Sequence, residues 1–307
     1  MARSIEQFPV GEPGAGPYAV AAGPDGALWF TLVHGAALGR LVPGEPAATV
    51  LPLDGAATPM IITPGPDGAL WFTDAGRHLV GRAAADGTVT EYPLPTPGAS
   101  PFGIAAGPDG ALWFTETAAD RIGRIGVDGK IEEYPLPLRE SFPSTIVAGP
   151  DGALWFTLNQ ANAIGRLALD GALAVHPLPT PEAAPVGLAA GGDGALWFTE
   201  IGAGQIGRLT PDGRTDEFAL PDPGCRPHAI AAGADGDLWF TEWATARLGR
   251  ITCDGTVEEF ALPPGSEPHG LTLGPDGAVW TALESGTLAR LAPPGPARTA
   301  PVRPSSR

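Results

Sequence analysis

Gly107-Pro108-Asp109-Gly110-Ala111-Leu112-Trp113-Phe114-Thr115-Glu116, with Ile122-Gly123-Arg124 shortly after, is the stretch that decides the fold. It recurs almost verbatim along the chain. Tryptophans stand at Trp29, Trp71, Trp113, Trp155, Trp197, Trp239 and Trp280, at five intervals of 42 residues and one of 41. Every one but Trp280 opens a Trp-Phe-Thr run, and a Gly-Arg pair (Ala289-Arg290 in the last unit) follows some ten residues on. A sevenfold period of this length marks a repeat architecture.

One unit reads as four short strands, in the third repeat over 102–106, 112–116, 122–125 and 131–136. Pro108-Asp109-Gly110 suits a tight turn, with proline fixing φ and glycine taking the left-handed position; Asp128-Gly129 serves the second hairpin. Four antiparallel strands with no helix signal describe a propeller blade, so the chain is expected to be an all-β, seven-bladed β-propeller. Outer-strand text such as Glu132-Glu133-Tyr134-Pro135-Leu136 is missing after Arg290 and appears at the start, as Ile5-Glu6-Gln7-Phe8-Pro9-Val10. The N-terminal strand should therefore complete the last blade and remove two open sheet edges. One domain over 1–293 and a flexible tail over 294–307 follow. The repeated tryptophans are read as packing between blades.

Bulk properties agree with this reading. A propeller of 307 residues is commonly one domain, and 44 glycines and 36 prolines recur in register as turns rather than as low complexity. The net charge of −16 argues against nucleic acid and anionic membranes as partners, since both need a basic face. Two cysteines, Cys225 and Cys253, are too few for a disulfide scaffold and are expected to be free, in a reducing compartment. No apolar leader or membrane-length stretch is present in the sequence, so the expectation is a cytoplasmic monomer.

The start of strand one and the end of strand two fall at the same end of each blade, so they ring the mouth of the central channel. The residue after the recurrent proline is Tyr18, Met60, Phe102, Ser144, Val186, His228 or His269. Two histidines in adjacent blades thus face an apolar arc of Tyr18, Met60 and Phe102, which would hold a bulky hydrophobic substrate. In the last blade Glu267 precedes the proline and Glu284 stands where the hairpin returns. Two carboxylates converging on a channel suit Mg²⁺ better than Zn²⁺, and a neighbouring histidine is a natural general base near neutral pH. Trp243 lies outside the tryptophan period and is a candidate ligand contact. Asp74, Glu116, Glu200 and Glu242 recur like structural parts that pair with arginines or cap backbone. His34 and His78 are read as solvated loop residues, and His176, in the slot of Tyr92 and Tyr134, as a packed ring.

Seven units of Gly-Pro-Asp-Gly-Ala-Leu-Trp-Phe-Thr-Glu with Ile-Gly-Arg resemble the virginiamycin B (streptogramin B) lyase family over about residues 4–292. Arg226-Pro227-His228, Glu267-Pro268-His269 and Glu284 sharpen the likeness. The resemblance implies a Mg²⁺-dependent carbon–oxygen lyase that linearises cyclic streptogramin B depsipeptides by elimination, a route to antibiotic resistance. It implies that Glu267 and Glu284 bind the metal, that His269 is the general base and that His228 contacts substrate. One departure, Thr281 where the other units carry phenylalanine, lies close to Glu284. The alternatives are a propeller that only binds a ligand or a protein, and a lactonase-like hydrolase.

Overall fold

The computed structural model describes residues 4–12 and 14–292, and within them the regular structure is all strand. The tail expected over 294–307 lies outside the described residues. The strands form seven four-stranded antiparallel sheets. In the third they are Pro101–Ala106, Leu112–Glu116, Arg121–Ile125 and Ile131–Pro135. The innermost strand of each sheet packs on those of both neighbours, and Pro268–Leu273 lies against Pro17–Ala22, closing the ring. Ile5–Pro9 pairs with Thr287–Leu291, from Ile5 opposite Leu291 to Pro9 opposite Thr287. Phe8 reaches Trp280 with ring centroids 5.0 Å apart, as Tyr134 reaches Trp113 at 5.4 Å, so the N-terminal strand fills the outer-strand role in full.

The repeated letters now have separate causes. Asp109 accepts from Trp113 Nε1 at 3.0 Å and from Arg124 Nε at 2.7 Å, and the guanidinium sits 5.9 Å over the indole. One turn carboxylate thereby orients both the buried ring and the arginine that covers it. Gly123 is required because a Cβ there would lie 2.0 Å from the Phe114 ring. Thr115 joins blades: its Oγ1 accepts from Gly103 N at 2.9 Å and donates to Ser144 O of the next blade at 2.6 Å. His176 stacks on Trp155 at 5.4 Å and 24°, the packed ring expected of it.

Two local features aim residues at the rim. The register slips just after the first proline of every blade, for example between Pro268 and Leu271. A bulge of this kind re-aims side chains, here the residue following each proline. The residue before that proline takes a left-handed conformation in most blades, with φ of 52° at Arg226 and 48° at Glu267. Non-glycine residues pay strain for such angles, and they cluster at functional sites.

The recurrent acids only partly follow expectation. Asp74 pairs with Arg77 at 2.7 Å and accepts from the backbone of Thr58 and Arg77. Glu242 accepts from Thr245 Oγ1 at 2.7 Å, with Arg247 at 3.9 Å. Glu200 bonds Gln205 rather than an arginine. Glu116, fully buried, accepts from no donor on either carboxylate oxygen and stands beside the Glu133 carboxylate.

Candidate active site

Glu267 and Glu284 start from hydrogen-bonded backbone positions, Glu284 N donating to Glu267 O at 3.2 Å. The left-handed turn at Glu267 and the bulge after Pro268 bring His269 beside them. His269 is buried, its carbonyl held by Thr241 Oγ1 of the preceding blade at 2.9 Å, and its Nε2 lies 2.6 Å from Glu284 Oε2. The departure at Thr281 leaves Glu284 in place: Thr281 faces Ala289 within a regular hairpin, and Glu284 follows directly after Val279–Leu283.

Burial works to raise the Glu284 pKa, but the imidazoles of His34 and His269 outweigh it and hold the carboxyl below its ordinary value. An ionised carboxylate only accepts, so His269 Nε2 carries the proton and the neutral ring keeps its lone pair on Nδ1. That Nδ1 is buried and has no hydrogen-bond partner. Burial pushes the His269 pKa down, with Glu284 and Glu267 opposing it, which keeps the ring unprotonated near neutral pH.

His228 and Tyr18 wall this histidine in. The His228 ring meets His269 edge-on at 4.9 Å, and Tyr18 leans on His269 at 4.6 Å and 34°. Burial, and then His269, push His228 down to about 3, so it is a neutral polar group. Tyr18, raised by burial and by the Glu284 charge, stays a phenol. Tyr18, His228 and Phe102 border a cavity of about 180 Å³ in the channel, lined below by Ile62, Leu188 and Ile230.

Two members of the expected apolar contact set lie elsewhere. Met60 is half-buried outside that cavity, its carbonyl accepting from Thr31 Oγ1 at 2.8 Å. Trp243 packs under the Arg226 guanidinium, 5.8 Å from the ring centroid.

The residue that sequence reasoning missed is His34. Far from being a purely solvated loop residue, it places Nε2 2.9 Å from Glu284 Oε1, with its side chain 56% exposed. A signal was available: its slot in the other blades holds Gly76, Ala118, Gln160, Gly202, Ala244 and Ser285, so an imidazole there is out of pattern. His78, by contrast, supports its loop by accepting from Ser100 N at 3.2 Å.

Among the described residues no three ligating side chains form a ready cation cage. Two carboxylates from adjacent backbone positions still fit Mg²⁺, which keeps several waters and uses one or two carboxylates plus substrate oxygens. Each Glu284 oxygen retains a lone pair beyond the one accepting from an imidazole.

The Virginiamycin B lyase family model matches residues 3–291. The chain belongs to that family. A solved streptogramin B lyase is 43% identical, with a TM-score of 0.90 over 94% of this chain and 97% of that one. A catalytically inactive histidine-to-alanine variant of virginiamycin B lyase from Staphylococcus aureus, solved with quinupristin, is 40% identical, with a TM-score of 0.91 over 95% of this chain and all of that one. Virginiamycin B lyase of Streptomyces coelicolor is 56% identical over 50 residues, a stretch that takes in 16% of this chain and 17% of that relative.

Proposed function

We propose that this protein is a carbon–oxygen lyase that opens streptogramin B-type cyclic depsipeptides at their ester bond by elimination, which would inactivate the antibiotic. The observation that carries the reading is the buried His269–Glu284 pair at 2.6 Å beside a channel cavity walled by Tyr18, Phe102 and His228. Membership in the virginiamycin B lyase family and the S. aureus relative inactivated by loss of one histidine support it.

In this reading His269, neutral and with its lone pair on Nδ1, removes the α-proton of the threonyl unit whose side-chain oxygen closes the lactone. The C–H electrons form the new C=C bond as the Cβ–O bond breaks, and the ester carboxylate leaves with that bond's electron pair. Glu284 stabilises the imidazolium so formed and holds the tautomer, a charge-assisted contact strengthened by burial. His228 offers a neutral hydrogen-bonding ring to the substrate, and the apolar wall takes its hydrophobic side chains. Mg²⁺, held by Glu267 and Glu284, would supply Lewis-acid stabilisation of charge developing on oxygen.

The test is the product mass after incubation with a streptogramin B, with and without chelator. Elimination leaves a product of the lactone's own mass and should fail in chelator. A product heavier by one water would overturn the lyase reading in favour of a hydrolase.

A further inference from the structure

The hairpin end of blade one reaches a carboxylate carried by blade seven. We propose that His34 is a positioning residue for the reaction, fixing the Glu284 carboxylate from across the seam where the ring closes. The proposal rests on the lyase reading of the same site.

The geometry is two-sided. Glu284 follows the last residue of its strand, at the head of a turn, and torsion about the terminal bond of a glutamate is broad. His269 Nε2 holds Oε2 at 2.6 Å, and His34 Nε2 holds Oε1 at 2.9 Å. Neither donor alone sets both oxygens; together they fix the plane of the carboxylate from two different blades. If Glu284 is to orient His269 and offer a lone pair to a cation, that plane must be set before substrate arrives.

His34 is itself held. Its loop is tied to the entry of blade one by Val33 N to Gly16 O at 2.9 Å and by His34 N and Gly35 N to Ala15 O at 3.0 Å. The imidazole lies over Gly16, where a Cβ would sit 2.4 Å from His34 Cδ2. Gly16 occupies in blade one the slot that Glu267 occupies in blade seven, each preceding the first proline of its blade. One blade thus leaves that slot empty for a ring, and the next fills it with a carboxylate. The ring remains more than half exposed, so its bond to Glu284 adds little to folding. Its effect belongs to orientation.

The experiment compares His34→Ala and His34→Gln in the full chain, reading kcat, KM and Tm for streptogramin B opening and titrating Mg²⁺ alone by calorimetry. Loss of an outer partner of a ligating or catalytic group typically costs about 10- to 100-fold. His34→Ala should lower kcat by about that factor with KM and Tm nearly unchanged, and should weaken Mg²⁺ binding about tenfold. His34→Gln, whose amide can still donate, should recover most of both. A wild-type kcat in His34→Ala, or equal losses in the two variants, would overturn the proposal. If the wild-type protein opens no streptogramin B, the lyase reading falls by itself. The Mg²⁺ titration then decides the role of His34: weaker binding in His34→Ala sustains it, and identical isotherms refute it.

Discussion

Thr281 faces Ala289 across the last hairpin, where each of the other blades sets a phenylalanine against a glycine. The exchange is reciprocal. A Cβ at Gly123 would lie 2.0 Å from Phe114, so a phenylalanine cannot stand opposite an alanine, and the last blade has changed both members. Thr281 Oγ1 uses the room to donate to Gly270 O at 3.0 Å, immediately after His269. Thr281→Phe alone should overpack the blade and cost about 1–3 kcal/mol. Adding Ala289→Gly should return most of that loss, a strongly non-additive pair in a denaturant double-mutant cycle. Additive losses would show that the two positions do not share their space.

His269→Ala should lower kcat by about 10²- to 10⁴-fold, the usual contribution of a general base. The variant should still unfold in one cooperative thermal transition, because strand pairing around Pro268–Leu273 does not use the imidazole. Turnover within a few-fold of wild type would remove His269 from the mechanism.

Glu267 holds its carboxylate on backbone with φ of 48°. Left-handed backbone costs an L-residue about 1–2 kcal/mol and glycine almost nothing. Glu267→Ala and Glu267→Gly should therefore lose activity alike, while the glycine variant is the more stable by about 1 kcal/mol. Urea midpoints compared at equal m-value read this directly. Equal midpoints would mean the strain is absent.

Glu116 sets a pH dependence that can be isolated. Burial, and then the neighbouring Glu133 carboxylate, push its pKa up to about 8, with Arg121 opposing them. An unfolded glutamate titrates at about 4.3. Between those values the folded chain keeps a proton that the unfolded chain releases. Stability from this group is therefore full below the unfolded value and falls as pH rises through about 8. Glu200 and Glu242, each pushed up to about 7 with burial the leading cause, add to the same slope. Wild-type Tm should fall from pH 6 to pH 9, and Glu116→Gln, which keeps the neutral form, should make that fall shallower. Parallel slopes would show that Glu116 is already ionised.

The sequence by itself determined the architecture, because every structural device repeats at a constant period. Asp109, Trp113, Gly123 and Arg124 interact within one unit, so their spacing carries their meaning. The closure by Ile5–Pro9 was legible for the same reason, as one missing copy of a repeated line. Glu267, His269 and Glu284 also stood out, since a residue that breaks a repeat is visible against the others.

Only the tertiary structure decided what depends on the seams between units. His34 and Glu284 are 250 positions apart and meet because the ring closes there. Which acids found partners was legible only in part: Arg77, three places after Asp74, pairs with it, whereas Ala119 holds that slot after Glu116, and the structure alone sets Glu116 beside the Glu133 carboxylate. Periodicity reports which residues share a slot. Whether a side chain in that slot reaches a residue of another blade depends on how the blades meet, as His34 meets Glu284, and no repeat records that.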